Sequence, residues 1–298
     1  MKVGVIGLGS MGMGAALNLV RKGHEVTGCD LRAEARDELV REGGRAVSRA
    51  ADLPDGLEAL IVLVVNAAQT DSVLFGAEGC LPRLAPGAVV LCSTTLAPEA
   101  ARSIGARLAE RQIAMLDAPV SGGATAAREG RMTVMASGPA GAFDRAQPVL
   151  DAIAGKVWRL GEAHGAGSTV KMVNQLLAGV HIAAAAEAMA LGIRAGADPQ
   201  TLFDVITTSA GNSWMFQNRV PHVLAGDDTP RSAVNIFVKD LGIVLDQART
   251  LTFPLPLAAT AHQLFLAASA AGHGTRDDAF VIRVWQMLTG IKLPEGGA

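Results

Sequence analysis

The sequence predicts a two-domain protein in which a doubly wound α/β domain precedes an all-α domain. In the first half, short runs rich in Val and Ile alternate with helical patterns, as in a parallel sheet covered by helices. A glycine-rich stretch at 161–167 interrupts this alternation, and a 3.6-residue periodicity with little strand signal follows it. A chain of 298 residues also exceeds one typical hydrophobic core. We therefore predict domains at residues 1–162 and 163–298.

The composition predicts a globular protein without a nucleic-acid or membrane partner. Half of the residues are hydrophobic, 18% are charged and the formal net charge is −2, so the chain lacks the basic surplus that nucleic acid or anionic lipid attracts. The N-terminus enters a strand directly and does not resemble a secretory signal. Cys29, Cys80 and Cys92 are scattered, which favours reduced thiols and a cytoplasmic location.

A glycine-rich turn follows the first predicted strand, at 2–6, and leads through a helix to a second strand at 25–29. This order is typical of the Rossmann dinucleotide-binding fold. Gly7 permits the tight turn, Gly9 lets the backbone approach a pyrophosphate, and Gly12 allows close helix packing. The alternative is an ordinary glycine-rich turn. The predicted cofactor contacts of this turn are Gly7, Leu8, Gly9, Ser10, Met11 and Gly12.

An acidic residue ends the second strand. Asp30 lies eighteen residues after Gly12, where a carboxylate can accept hydrogen bonds from the adenosine ribose. The same carboxylate would repel the 2′-phosphate of NADP, so the sequence favours NAD. Arg32 could pair with such a phosphate and weaken this preference. We place Asp30, Leu31 and Arg32 in the cofactor site.

Further strands are predicted at 59–65, 88–92 and 113–116, with a helix at 96–110. Ligands of open parallel sheets bind beyond the carboxyl ends of the strands. Val65, Asn66 and Thr95, in the loops after two of these strands, are therefore candidate contacts on the nicotinamide side. Polar loops after strands are also common without such a role.

A serine followed by two glycines comes next. Ser121, Gly122 and Gly123 can turn several backbone N–H groups toward one point, which suits a carboxylate or an oxyanion. Alternatively, the glycines only permit a turn with positive φ. Two more strands are predicted at 131–136 and 156–159, with a helix at 141–153 between them.

A long helix rich in Ala, Leu and Met is predicted at 168–195. Lys171, Asn174 and Gln175 lie on one face of it. The chain holds six lysines and twenty arginines, so a lysine in this apolar helix suggests an amine that must titrate. It could instead extend from the helix start into water. Asn174, Gln175 and His181 argue against a membrane span.

Five more helices are predicted at 199–208, 213–224, 233–251, 256–271 and 277–289. We expect the adjacent side chains of Lys239 and Asp240 to diverge, Lys239 toward the cofactor and Asp240 toward a helix end or an amine. A surface ion pair is the alternative. Asn212 and Trp214 could line a polar substrate pocket or pack between helices.

Four motifs together resemble the β-hydroxyacid dehydrogenases, the superfamily of 3-hydroxyisobutyrate dehydrogenase and tartronate semialdehyde reductase. GLGSMG, the SGG turn, GAGSTVKMVNQ and VKDL occur in the family's order and span nearly the whole chain. The segments NAAQT, GNSWMFQNRVPHVLAGD and TPRSAVNIFVKDLGIVLDQA further resemble the members that oxidise L-threonate.

The resemblance implies specific roles for the matching residues. Lys171 matches the family's catalytic lysine, a general acid or base that projects into the cleft between the domains. Asn174 matches the amide beside it, and Lys239 matches a lysine at the cofactor. The family usually has two adjacent asparagines, whereas the second position here is Gln175, whose longer arm could reshape the pocket. The turn that holds the substrate carboxylate is matched by Ser121, Gly122 and Gly123.

The resemblance implies NAD-dependent oxidation of the C2 hydroxyl of a four-carbon sugar acid, L-threonate to 2-dehydro-L-erythronate. The same machinery would serve a tartronate semialdehyde reductase or a 3-hydroxyisobutyrate dehydrogenase, and a catalytically silent NAD-binding sensor is the non-enzyme alternative. The expected partners are a small hydroxy acid and, in a homodimer or homotetramer, further copies of the chain. We predict no metal, because the Cys and His residues lack workable spacing.

Overall fold

The computed structural model describes residues 1–294 of the chain, which divide into two compact units between Lys171 and Met172. The predicted boundary after residue 162 stays a prediction. The first unit contains a sheet of six strands, β1 (Lys2–Ile6), β2 (Glu25–Cys29), β3 (Arg45–Val47), β4 (Leu57–Val62), β5 (Leu84–Cys92) and β6 (Ala114–Asp117). All pairings are parallel and the order is β3-β2-β1-β4-β5-β6. This is the order of a doubly wound dinucleotide-binding sheet, as predicted.

Helices cover this sheet, and its central strands are buried because both faces are apolar. Val5 of β1, Ile61 of β4 and Leu91 of β5 are fully buried, which is expected of a parallel sheet between two helical layers. The helices of the first unit are α1 (Ser10–Arg21), α2 (Ala33–Arg41), α3 (Ala67–Phe75), α4 (Pro98–Ala109), α5 (Gly123–Arg128) and α6 (Ala140–Ile153).

A separate sheet of three strands completes the first unit. It consists of β7 (Val120–Ser121), β8 (Met132–Ala136) and β9 (Ala154–Arg159). β7 pairs antiparallel with β8, and β8 pairs parallel with β9. The two strands predicted beyond the main sheet are therefore confirmed as β8 and β9.

The structure corrects the prediction around β4. The predicted strand continued to residue 65, but β4 ends at Val62 and the chain then leaves the sheet. The NAAQT segment, predicted as a loop, begins α3: the side-chain oxygen of Asn66 accepts a hydrogen bond from the amide of Gln69 at 2.9 Å. An N-cap asparagine followed by two alanines carries little apolar periodicity, so the pattern did not show this helix.

The second unit is helical, as predicted, and packs around the stacked rings of Phe237 and Phe265, whose centroids are 5.1 Å apart. The predicted helix at 256–271 ends earlier, before a turn in which Gly272 has φ 90°. The one predicted at 277–289 divides into a 3-10 turn (Asp278–Ile282) and a last α-helix. The remaining α-helices within residues 1–294 are α7 (Ala166–Arg194), α8 (Pro199–Thr207), α9 (Trp214–Leu224), α10 (Val234–Thr250), α11 (Pro256–Ala268) and α12 (Arg283–Thr289).

By length and composition alone, α7 could cross a membrane, since its most apolar window of 18 residues has a mean hydropathy of 1.8. Of that window, 44% is buried inside the protein. The core helix of a soluble protein passes the same test, so this property carries little weight.

Candidate functional site

The turn between β1 and α1 requires glycine at two of its motif positions. Gly7 has φ 91°, and a Cβ there would lie 2.4 Å from the carbonyl oxygen of Leu63. A Cβ on Gly12 would lie 1.8 Å from the carbonyl oxygen of Gly7. A Cβ on Gly9, by contrast, would have no atom of residues 1–294 within 4 Å, its own chain neighbours apart. The turn therefore leaves open space beside the backbone of Gly9.

The amide end of α1 lies next to this glycine. Gly9 is the N-cap and has no side chain that could accept from the first amides, while Ser10 is exposed and Met11 is half-buried. The first turn of α1 also carries no acidic residue within the described chain. Such a helix start offers N–H donors and the positive end of the helix dipole, which together suit a phosphate group. These residues thus fit the pyrophosphate of a dinucleotide.

Asp30 and Arg32 form a local network with the glycine turn. The carboxylate of Asp30 accepts from the amide of Leu8 at 2.8 Å and from the amide of Arg32 at 2.9 Å. The guanidinium of Arg32 donates to the same carboxylate and, at 2.9 Å, to the carbonyl oxygen of Leu8. Burial raises the pKa of Asp30, but the hydrogen bonds from Arg32 and Leu8 outweigh it, and the net pKa is lowered. The carboxylate is therefore charged at neutral pH.

The other predicted cofactor residues of the first unit stand at the same edge of the sheet, because parallel strands share their carboxyl ends. Leu31 follows β2 and is 88% exposed, and Val65, beyond β4, is 49% exposed. Apolar side chains this exposed can bind the face of a planar ring. Asn66 uses its side-chain oxygen to cap α3, and Thr95, after β5, is half-buried.

The SGG turn joins β7 to α5. Gly122 and Gly123 both have positive φ, 131° and 72°, so the turn needs glycine for its backbone conformation. A Cβ on Gly122 would also lie 2.8 Å from the Cβ of Ala126. Ser121 and both glycines are half-buried. The backbone requirement accounts for the glycines, and the predicted binding of a carboxylate stays a prediction.

A buried carboxylate anchors the start of α7. Asp117, the last residue of β6, is 1% exposed. It accepts hydrogen bonds from the amides of Gly165 and Ser168, both at 2.9 Å, and from the hydroxyls of Ser168 and Ser137 at 2.7 and 3.2 Å. The hydroxyl of Ser137 in turn accepts from the amide of Gly167 at 3.0 Å. These bonds satisfy the first amides of α7, which would otherwise lack partners.

Lys171 lies on α7 one turn beyond Ser168 and is 7% exposed. A residue this buried has little contact with bulk water. Buried lysines are the ones whose pKa shifts readily, so that they can act as acids or bases. Asn174 follows one turn later on the same helix, so the two residues lie on one face. The interpretation that Lys171 merely extends into water does not agree with this burial.

In the second unit, four polar side chains form a chain of contacts between α7 and α10. The ammonium of Lys239 donates to Oδ1 of Asp240, and Nε2 of Gln175 donates to Oδ2 of the same carboxylate at 2.5 Å. Nδ2 of Asn174 then donates to Oε1 of Gln175 at 3.0 Å. The expectation that Lys239 and Asp240 diverge is therefore wrong, because the long lysine side chain folds back onto its neighbour. The pair is not a surface ion pair either, since Asp240 is 2% exposed.

Asn212 and Trp214 lie before and at the start of α9. The amide of Asn212 donates to the carbonyl oxygen of Thr207 at 2.9 Å and so helps to end α8. Trp214 is 58% exposed, and the side chain of Ser213 caps α9 by accepting from the amide of Phe216. Asn212 therefore has a local structural role, and the contact of either residue with a substrate stays a prediction.

The sheet order, the glycine turn and the acid at the end of β2 define a dinucleotide-binding protein. Comparison with known protein families agrees. Residues 2–161 match the NAD binding domain of 6-phosphogluconate dehydrogenase. Residues 165–285 match the family described as NAD-binding of NADP-dependent 3-hydroxyisobutyrate dehydrogenase.

Individual relatives narrow the class further. L-threonate dehydrogenase of Cupriavidus necator is 59% identical over 98% of this chain and 97% of its own. The Escherichia coli K12 enzyme of the same name is 56% identical over 98% of this chain and 96% of its own. A crystal structure described as 3-hydroxyisobutyrate dehydrogenase from Salmonella typhimurium is 54% identical, has a TM-score of 0.92 and covers 95% of this chain and 99% of that one. The chain belongs to the β-hydroxyacid dehydrogenase family and is a hydroxyacid dehydrogenase.

Sequence patterns indicated neither the anchoring role of Asp117 nor the partner of Asp240. An acid at the end of an apolar strand signals a side chain directed at the edge of the sheet, and that signal could have identified Asp117. Asp240 was noted, but its partner Gln175 is 65 residues away in the chain. No local pattern indicates a contact across such a distance.

We predict that Asp117→Ala destabilises the protein and lowers turnover, because it leaves buried donors at the start of α7 without an acceptor. The expected loss in the free energy of unfolding is about 2–4 kcal/mol. Urea denaturation and steady-state turnover would measure both effects. Asp198→Ala is the matched control, since Asp198 caps α8 through the amide of Thr201 at an exposed position and should cost less. Equal losses in the two variants would contradict the anchoring role of Asp117.

Proposed function

We propose that the protein oxidises the C2 hydroxyl of L-threonate to 2-dehydro-L-erythronate, with NAD as the hydride acceptor. The observation that carries this proposal is the identity of 59% and 56%, over 98% of the chain, with two L-threonate dehydrogenases. We assign Lys171, Asn174 and Ser121 to catalysis, and the presence of all three argues against a silent NAD-binding sensor.

We assign acid–base chemistry to Lys171. Oxidation of an alcohol removes a hydride from carbon and a proton from the hydroxyl oxygen. When bound, NAD supplies the acceptor for the hydride. The amine of Lys171, in its neutral form, accepts the proton; in the reverse direction its ammonium donates a proton to the carbonyl oxygen. A guanidinium could not do this, because it does not lose its proton in proteins.

The remaining residues bind and orient. The SGG turn holds the substrate carboxylate, with Asn174, Asn212 and Trp214 as further substrate contacts. The start of α1 holds the pyrophosphate, and Asp30 binds the adenosine ribose. The open space beside Gly9 and the charged carboxylate of Asp30 support these assignments. The further cofactor contacts in the proposal are Leu8, Ser10, Met11, Leu31, Arg32, Val65, Asn66, Thr95 and Lys239.

A second candidate is the oxidation of 3-hydroxyisobutyrate. It is supported by the crystal structure from Salmonella typhimurium, which is 54% identical and is described as that dehydrogenase. Both activities would use the same residues, so the two proposals differ in the acid that is bound and in the hydroxyl that is oxidised, which lies on C2 of L-threonate and on C3 of 3-hydroxyisobutyrate. The expectations of a cytoplasmic location and of a homodimer or homotetramer remain predictions.

A substrate panel tests the proposed function. The purified protein is mixed with NAD and each of L-threonate, D-threonate, erythronate and 3-hydroxyisobutyrate, and NADH absorbance is followed. We expect the highest kcat/KM for L-threonate. A higher kcat/KM for 3-hydroxyisobutyrate would transfer the assignment to the second candidate, and turnover of neither acid would refute both.

We predict that Lys171→Ala lowers kcat by about 10²- to 10⁴-fold while NAD still binds, because the hydroxyl proton loses its acceptor. Lys171→Arg should be equally impaired, since it keeps the charge but cannot accept a proton. Turnover and NAD titration would be compared with those of Lys22→Ala, a change at an exposed lysine on the end of α1. Near-normal turnover of Lys171→Arg would exclude the assigned role.

We predict that Asp30→Ala lowers the preference for NAD over NADP by about tenfold or more. The change removes the carboxylate that repels a 2′-phosphate and releases the guanidinium of Arg32. The ratio of kcat/KM for the two cofactors measures this. Glu34→Ala, at an exposed acid on α2, is the control and should leave the ratio unchanged. An unchanged ratio in Asp30→Ala would contradict the assignment.

A further inference from the structure

In the contacts between α7 and α10, the chemistry of each group determines which atom donates and which accepts. A carboxylate only accepts hydrogen bonds and an ammonium only donates them. Asp240 therefore accepts from Lys239 on one oxygen and must receive an N–H of Gln175 on the other. This fixes the amide of Gln175 with Nε2 toward Asp240, so that Oε1 faces the opposite way.

The orientation of the Gln175 amide also determines the orientation of the Asn174 amide. Because Oε1 of Gln175 only accepts, the group of Asn174 that meets it must be the donor Nδ2, and the two atoms are 3.0 Å apart. Oδ1 of Asn174 is then turned away from Gln175. Burial favours these orientations, since Gln175 is 7% exposed and Asp240 is 2% exposed. Reversing either amide would leave a polar group of these buried residues without a hydrogen bond, which is costly.

The length of Gln175 matters for the same contacts. Its amide reaches Asp240 at 2.5 Å and Asn174 at 3.0 Å. An asparagine at this position, which the family usually has, is shorter by one carbon–carbon bond of roughly 1.5 Å. The shorter side chain could not keep both bonds from the same backbone position.

We propose that Asp240 and Gln175 are positioning residues that present Oδ1 of Asn174 as an acceptor for a second hydroxyl of the substrate. The inference rests on the proposed function and names the property by which the site selects its acid. An amide oxygen gains a hydrogen bond from a hydroxyl, gains nothing from a methylene, and is repelled by a carboxylate oxygen. The site therefore selects polyhydroxy acids over acids with a single hydroxyl.

The test compares L-threonate with 2-hydroxybutyrate of the same configuration at C2, which lacks the hydroxyls at C3 and C4. Gln175→Glu is isosteric but places a second carboxylate against Asp240, which should push the side chain away from Asp240 and from its contact with Asn174. We therefore expect kcat/KM for L-threonate to fall about tenfold or more. The loss should lie mainly in KM for L-threonate, because the bond is made in the bound substrate as well as in the transition state. The kcat/KM for 2-hydroxybutyrate and the KM for NAD should change by less than about twofold.

Three further variants make the result specific. Asn174→Ala should lower kcat/KM for L-threonate at least as much, and Asn174→Ala combined with Gln175→Glu should show no additional loss, because the two residues act through one bond. Gln175→Asn should give a smaller loss in the same direction, and it serves as the test if Gln175→Glu does not fold. Gln200→Glu is the matched control: Gln200 donates to Asp204 at 2.9 Å in an equivalent but exposed contact on α8.

Equal losses on both substrates in Gln175→Glu, or additive losses in the double variant, would overturn the proposal and leave only a packing role. Failure of the proposed function is a different result, namely no turnover of L-threonate by the unmodified protein. The same comparison would then be made with the acid that the substrate panel identifies and its analogue without the second hydroxyl.

Discussion

The buried carboxylate of Asp117 is the constraint that fixes the start of α7 at the edge of the sheet. A charged group that is 1% exposed is stable only if donors replace the water it has lost. Four hydrogen bonds do so, and three of them come from Gly165 and Ser168 at the start of α7. The first turn of α7 cannot shift along the edge of the sheet without leaving that charge unpaired. Lys171 lies one turn later on the same helix, so the position of its backbone is fixed as well.

The main features of the fold could be predicted because they depend on local patterns. The apolar runs of β1, β4 and β5 are buried on both faces, and the glycine turn has steric requirements that show directly in the sequence. The elements that were missed lack such a signal. β3 has three partly exposed residues at the edge of the sheet, and α2 buries only Ala35 and Leu39. Elements stabilised by so few apolar contacts leave little periodicity to read.

The candidate site could be predicted only in part for a related reason. Single residues stood out through their chemistry, such as a lysine in an apolar helix or an acid after a strand. Pairings between distant residues did not. Lys239 and Asp240 were expected to diverge because side chains of adjacent helical residues start in different directions, but a lysine has enough rotatable bonds to reach back. Gln175 looked like a departure from the family pattern, and its contacts give that departure a physical reason.

The most direct test of the central claim is a crystal structure of the protein with both NAD and L-threonate bound. We predict that Nζ of Lys171 lies within hydrogen-bonding distance, about 2.6–3.2 Å, of the oxygen on C2 of the substrate. A complex in which another group holds that oxygen, with the amine of Lys171 directed into solvent, would contradict it.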